Sequence, residues 1–230
     1  MAAALPSRAG ATCFALCAGP ALWLAASSMA GGLGPNPLDR LLHVSGRAAL
    51  WLLLVTLAVS PLRRASVQLA RLVHARTGKR LADWNWLIRL RRMLGLFSFF
   101  YALLHMLLYA TLDAGLSWSA VAGDLAERPF IALGWLGLLL LAPLAATSTN
   151  SAMRALGPWW RRLHLLAYAA ALLGLAHFAL QAKATQAGPW PETAALVLLL
   201  GGRLRAWWAG ERQPAVEAQR PARAPGGTAT

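Results

Sequence analysis

Apolar residues in this chain run in long blocks separated by short basic stretches. The blocks fall at about 12–32, 44–61, 93–112, 130–147, 163–181 and 193–209. A helix that crosses a bilayer needs roughly 20 mostly apolar residues, so the pattern predicts an all-α integral membrane protein with six transmembrane helices. The second block is expected to end at "SPLRR", where Pro61 and two arginines follow. Pro143 inside the fourth block predicts a kink, which neighbouring helices tolerate in a membrane. "RLRAWW" interrupts the sixth block. The first block follows a single Arg8 and is long enough to span, so it reads as an uncleaved first helix. Residues 1–209 thus read as one membrane domain. Residues 210–230, rich in Pro, Ala, Arg and Gly, read as a disordered tail.

Composition agrees: 58% of residues are hydrophobic, 13% are charged and the mean hydropathy is +0.50. The net charge of +14 does not point to nucleic acid, because the cations flank apolar runs rather than lining one solvated face. They do set an orientation. With a cytoplasmic N-terminus, eighteen of the 22 Lys and Arg fall in segments 1–11, 62–92, 148–162 and the tail from 203. The outer segments keep only Arg40, Arg47, Arg128 and Lys183, with Asp39, Asp113, Asp124, Glu127 and Glu192. By the positive-inside rule both termini are cytoplasmic. Trp84, Trp86, Trp159, Trp160, Trp207 and Trp208 gather at the inner interface of the lipid bilayer, as an aromatic belt does. Cys13 and Cys17 stand four apart in an apolar block and read as small buried hydrophobes.

The candidate chemistry lies in the histidines: His43, His74, His105, His164 and His177. An ionisable side chain at membrane depth is a functional candidate. His105 lies 13 residues beyond Arg92 and His177 lies 15 beyond Arg162. At about 1.5 Å per residue, they stand about 20 and about 22 Å from the inner surface. Two imidazoles at equal depth, on spans 3 and 5, are what axial ligation of a b-type haem iron between those helices requires. Small residues one and two turns earlier agree: Ala102 and Ser98 before His105, Gly174 and Ala170 before His177. His164 lies near the inner surface and has no histidine at its depth in the third span. It is a candidate ligand of an inner haem, with His74 as a partner, or a residue serving a quinone or flavin. On an ideal helix His164 and His177 point roughly 220° apart. His43 reads as an interfacial residue or a contact to an outer haem or partner, and His74 as a solvated loop residue. Arg47 and Arg128, at outer helix ends, are interfacial anchors or partners of haem propionates. Tyr101, Tyr109 and Tyr168, each four residues from a histidine, read as packing or hydrogen-bonding residues.

Other chemistry is not written in the chain. It has no GxGxxG after a strand, no P-loop, no HExxH, no Cys/His cluster and no Ser/His/Asp set at one depth. A haem protein with no nucleotide-binding or catalytic module carries electrons between partners. Three rival readings are a non-redox membrane anchor for a periplasmic enzyme, a proton-coupled transporter, and a ferric or cupric reductase of the same fold. The transporter is disfavoured because no Asp or Glu falls inside a predicted span.

Four stretches resemble one family. "RRMLGLFSFFYALLHMLLY" (Arg91–Tyr109), "LAPLAATSTNSAMRALGPWWRRLHLLAY" (Leu141–Tyr168), "AHFAL" and "GGLGPNPLDRLLHVSGRAALWLLLVTLAVSPLRR" (Gly31–Arg64) are similar to the MsrQ (YedZ) family. The likeness covers about residues 30–200, and places the chain in the ferric-reductase-like transmembrane group. The resemblance implies a haem b cytochrome of the bacterial inner membrane that takes electrons from the quinone pool or a flavin reductase, with FMN as a further cofactor. It also implies a periplasmic molybdopterin partner, MsrP, which reduces methionine sulfoxide in oxidised proteins. The family's histidines map onto His105, His164 and His177, and His43 falls where members often have one. The inner loop from Ala65 to Leu90 is longer than the resemblance leads one to expect. The outer segments 33–43, 113–128 and 182–192 would form the docking face.

Overall fold

A computed structural model of the chain describes residues 7–72, 85–182 and 188–208. Every regular element among them is helical. In chain order they are α1 (Ser7–Met29), α2 (Pro37–Leu72), α3 (Asn85–Leu108, continued by a π-helical turn over Tyr109–Asp113), α4 (Trp118–Glu127), α5 (Pro129–Ala146), α6 (Asn150–Leu156), α7 (Pro158–Leu163), α8 (Leu166–Gln181) and α9 (Trp190–Trp208). Among the described residues, five helical stretches are long and apolar enough to cross a membrane: Gly10–Met29, Pro37–Ser66, Leu90–Asp113, Pro129–Ala146 and Pro158–Gln181. They correspond to the first five predicted spans. The sixth forms as α9 but is not among the five; Glu192, Arg203 and Arg205 lie on it. His74 and the tail from 210 lie outside the described residues.

α2 packs along α3, and α5 along α8; α9 closes against α2 and α8, and α1 lies across α2 and α3. The core runs through Leu50, Leu53, Leu54 and Leu57 of α2, Leu141 and Leu144 of α5, and Ala167, Ala170 and Ala171 of α8. Leu107, Leu139, Leu172, Leu180 and Leu198 face outward. Leucines on the outside are expected where lipid is as apolar as leucine, and the three alanines of α8 allow the close backbone approach that drives packing there.

Four features differ from what the sequence predicts. α2 continues through Pro61 to Leu72. A proline removes one N–H and can bend a helix without ending it, provided the carbonyl it frees is satisfied. The fifth predicted span is not one unbroken helix: α7 ends at Leu163 and α8 begins at Leu166, with a turn at His164 and Leu165. The ideal-helix angle between His164 and His177 therefore does not apply. Segment 113–128 holds a helix, α4, whose first turn is capped by the Ser117 hydroxyl accepting from Ala120 N–H. Lastly, Glu192, expected in an outer loop, is fully buried in the first turn of α9.

One further residue organises the bundle. Tyr101 of α3 is fully buried, and its hydroxyl reaches α1 beside Pro20. It accepts from Ala21 N–H at 2.9 Å and donates to the Cys17 carbonyl at 2.7 Å. Those two groups are the pair that would close that helical turn, so the hydroxyl is inserted into the ladder and ties α1 to α3. Tyr101→Phe should leave both groups without it and lower stability by about 1–2 kcal/mol. Thermal unfolding in mild detergent measures this; an unchanged midpoint would rule the tie out.

Candidate functional site

His105 and His177 come from two helices, α3 and α8, and their ring centres stand 5.9 Å apart, the planes nearly perpendicular at 87°. Each ring is held in the same way. His105 Nδ1 donates to the Leu42 carbonyl of α2 at 2.9 Å, with the Ser45 hydroxyl also 3.3 Å from it. His177 Nδ1 donates to the Phe130 carbonyl of α5 at 2.6 Å. A carbonyl can only accept, so each Nδ1 carries the proton and each neutral ring is left with the Nε2 lone pair, the usual metal-binding atom.

The close approach needs a glycine four residues after each accepting carbonyl. A Cβ at Gly46 would lie 3.1 Å from His105 Cε1 and Nδ1; one at Gly134 would lie 2.9 Å from His177 Nδ1. The same device thus appears twice, Leu42 with Gly46 on α2 and Phe130 with Gly134 on α5. Sequence reasoning looked for small residues on the histidines' own helices and missed both glycines, which sit on the facing ones.

Both rings line a cavity of about 290 Å³ between the α2–α3 and α5–α8 pairs. Ser98, Ala102, Ala170 and Gly174, singled out from spacing, lie on its wall. So do His43, Arg47, Tyr109 and Arg128. His43 meets the Phe178 ring edge-on at 5.6 Å. Arg128 pairs with Asp124 at 3.3 Å, and Asp124 accepts from the Tyr109 hydroxyl at 2.6 Å. Arg47 pairs with Glu192. Tyr101 does not line the cavity; its role is the α1 tie described above.

His164 stands apart. It caps α7, its Nδ1 donates to the Trp160 carbonyl at 3.0 Å, and its ring stacks on Trp160 at 3.9 Å. It is not on the cavity wall. The surrounding end of the bundle, predicted to be inner, carries Arg92 bonded to Asn150 and Arg91 bonded to Ser60. Arg203 donates to the Tyr168 hydroxyl. Among the described residues, no group of three or more His, Cys, Asp or Glu is placed to hold a metal ion.

Residues 45–175 match the family model described as the ferric reductase like transmembrane component. The chain is also similar to three bacterial proteins named protein-methionine-sulfoxide reductase heme-binding subunit MsrQ. The one from Bordetella pertussis is 43% identical over 188 residues, covering 81% of this chain and 82% of that protein. The one from Rhodospirillum rubrum is 39% identical over 213 residues, covering 92% and 91%. The one from Caulobacter vibrioides is 41% identical over 197 residues, covering 85% of each. With helices able to span a membrane, a family match over more than half of its length and relatives about 40% identical over most of it, the chain belongs to the ferric-reductase-like transmembrane family and, within it, to the MsrQ family.

Proposed function

We propose that the chain is a haem b electron carrier of the bacterial inner membrane. It would take electrons from the quinone pool or a flavin donor and pass them to MsrP, the periplasmic molybdopterin enzyme that repairs oxidised methionine. The observation that carries the reading is the pair of imidazoles 5.9 Å apart in one cavity, each with Nδ1 fixed on a carbonyl. A metal–imidazole bond is about 2 Å long, which puts the ring centres of two ligands sharing one ion about 6 Å apart. The names of the MsrQ relatives say that they bind heme.

The residues fit a flat iron macrocycle. His105 and His177 would hold the iron through their Nε2 atoms, and the Leu42 and Phe130 carbonyls hold both tautomers and both ring orientations. Bound there, haem b supplies a one-electron carrier. Gly137, Ala170 and Gly174 leave room along the cavity wall, while Leu50, Leu53 and Leu141 keep it apolar and exclude water. Arg47 and Arg128 offer positive charge to the carboxylates of the group. His164 is assigned to the other end of the bundle, where a quinone or flavin would deliver electrons. FMN, which the family resemblance implies, would enter on that route. The charge asymmetry supports cytoplasmic termini, which would put α4 and the loop before α2 on the periplasmic face, where MsrP would dock.

Purification in mild detergent, haem quantitation and oxidised-minus-reduced spectra test the reading. A b-type spectrum is expected, reducible by a quinol analogue and reoxidised by MsrP only when a methionine-sulfoxide substrate is present. A colourless protein would overturn it and favour the non-redox anchor. Reduction of ferric chelates without a periplasmic partner would favour the metalloreductase.

A further inference from the structure

We propose that Glu192 is a positioning residue that aims Arg47 at the carboxylate-bearing edge of the group bound between His105 and His177, an inference that rests on the haem reading above. Glu192 opens α9 and has no solvent-exposed surface, whereas the Arg47 side chain paired with it is 40% exposed. Burying a carboxylate is costly unless it is paired. The pairing is lopsided. Arg47 Nη2 at 2.7 Å, Arg47 Nε at 3.0 Å and Trp51 Nε1 at 2.9 Å all donate to Oε1. Among the described residues Oε2, also buried, has no hydrogen-bond partner.

A pair serving only to neutralise charge would be expected to use both oxygens in the bidentate fork that arginine favours. Here the Nε–Nη2 edge of the guanidinium converges on one oxygen, and Trp51, one turn further along α2, fixes that oxygen from the side. The rigid guanidinium is thereby oriented, and its Nη1 makes no hydrogen bond to the protein among the described residues. Arg47 lines the cavity and lies 5.8 Å over the ring of Phe178, the residue after His177. Glu192 and the cavity thus engage the same arginine. An anionic ligand group at the cavity edge would complete the donor set that Glu192 leaves open.

A carboxylate that merely docks α9 onto α2 would change the unfolding midpoint and leave haem loss unchanged; a positioning carboxylate would change haem loss, and would do so through Arg47. The test uses full-length holoprotein in detergent and compares wild type with Glu192→Gln, Arg47→Gln and the double variant. It reads the haem midpoint potential and the rate of haem loss to excess apo-globin scavenger. Arg47→Gln should speed haem loss about tenfold, the effect of removing one charge-assisted hydrogen bond. Glu192→Gln should also speed it, and the double variant should lose haem no faster than Arg47→Gln alone. The potential should rise in Glu192→Gln, which removes a negative charge, and fall in Arg47→Gln. If Glu192→Gln fails to assemble, Glu192→Asp keeps the charge and withdraws it by one methylene; faster haem loss is again expected. Unchanged haem loss in the Glu192 variant, or effects that add in the double variant, would overturn the inference and leave the haem reading intact. Wild-type protein without haem would overturn both.

Discussion

Replacing either His105 or His177 with alanine is expected to abolish the b-type spectrum and cut haem content more than tenfold, while His164→Ala keeps the haem. The first two rings stand on opposite sides of one cavity with their centres 5.9 Å apart, and each has only Nε2 left to offer. Loss of one would leave a single imidazole to hold the group. His164 differs in each of these respects. Its ring stacks on Trp160 of its own segment, its Nδ1 bonds that residue's carbonyl, and the cavity does not reach it. The measurement is the haem-to-protein ratio of each purified variant, with elution volume and helical circular dichroism as controls for folding. If His164→Ala alone emptied the protein, the pairing of His105 with His177 would be wrong although the electron-carrier reading would stand. If His105→Ala kept full haem, the cavity would not be the site.

Depth along a helix was legible because it follows from counting. His105 and His177 were placed at one level from their distances to Arg92 and Arg162, and the structure brings those two rings together. Contacts between helices were not legible, because they join residues far apart in the chain. The Leu42 carbonyl is 63 residues from His105, and the Phe130 carbonyl 47 from His177. Nothing in the local pattern of α2 or α5 marks Gly46 or Gly134 as different from the chain's other glycines. Glu192 misled for a related reason. A lone acid before an apolar block reads as a loop residue, and only the packing of α9 on α2 brings Arg47 and Trp51 to it. The turn at His164 was hidden as well, since Leu163, Leu165 and Leu166 carry the apolar pattern across it.

Gly134→Ala is expected to lower haem occupancy about tenfold, an effect larger than that of Gly46→Ala. In an ordinary helix a glycine-to-alanine change helps, by about 1 kcal/mol. At Gly134 the new Cβ would stand 2.9 Å from His177 Nδ1 and 3.1 Å from Cε1, well inside the contact distance of about 3.5 Å. The ring has little freedom to retreat. Its Nδ1 is hydrogen-bonded at 2.6 Å to Phe130, one turn earlier on the helix that carries the intruding methyl. Relief therefore means breaking that bond, which frees the tautomer, or swinging the ring towards His105 and closing the gap the macrocycle would occupy. Overpacking of this kind costs about 1–3 kcal/mol, and about 1.4 kcal/mol is one decade in binding. At Gly46 the nearest contacts are 3.1 Å, so a smaller displacement suffices and a milder loss follows. Gly95→Ala is the control: its Cβ would meet only the Thr56 methyl, at an ordinary 3.7 Å, and haem content should not change. The order expected in haem-to-protein ratio is Gly95→Ala, then Gly46→Ala, then Gly134→Ala, with the last also shifting towards a spectrum of weaker axial ligation. Full haem and an unshifted spectrum in Gly134→Ala would show that the His177 ring is not pinned against α5 in the loaded protein, and that its tie to Phe130 does not set the ligand geometry.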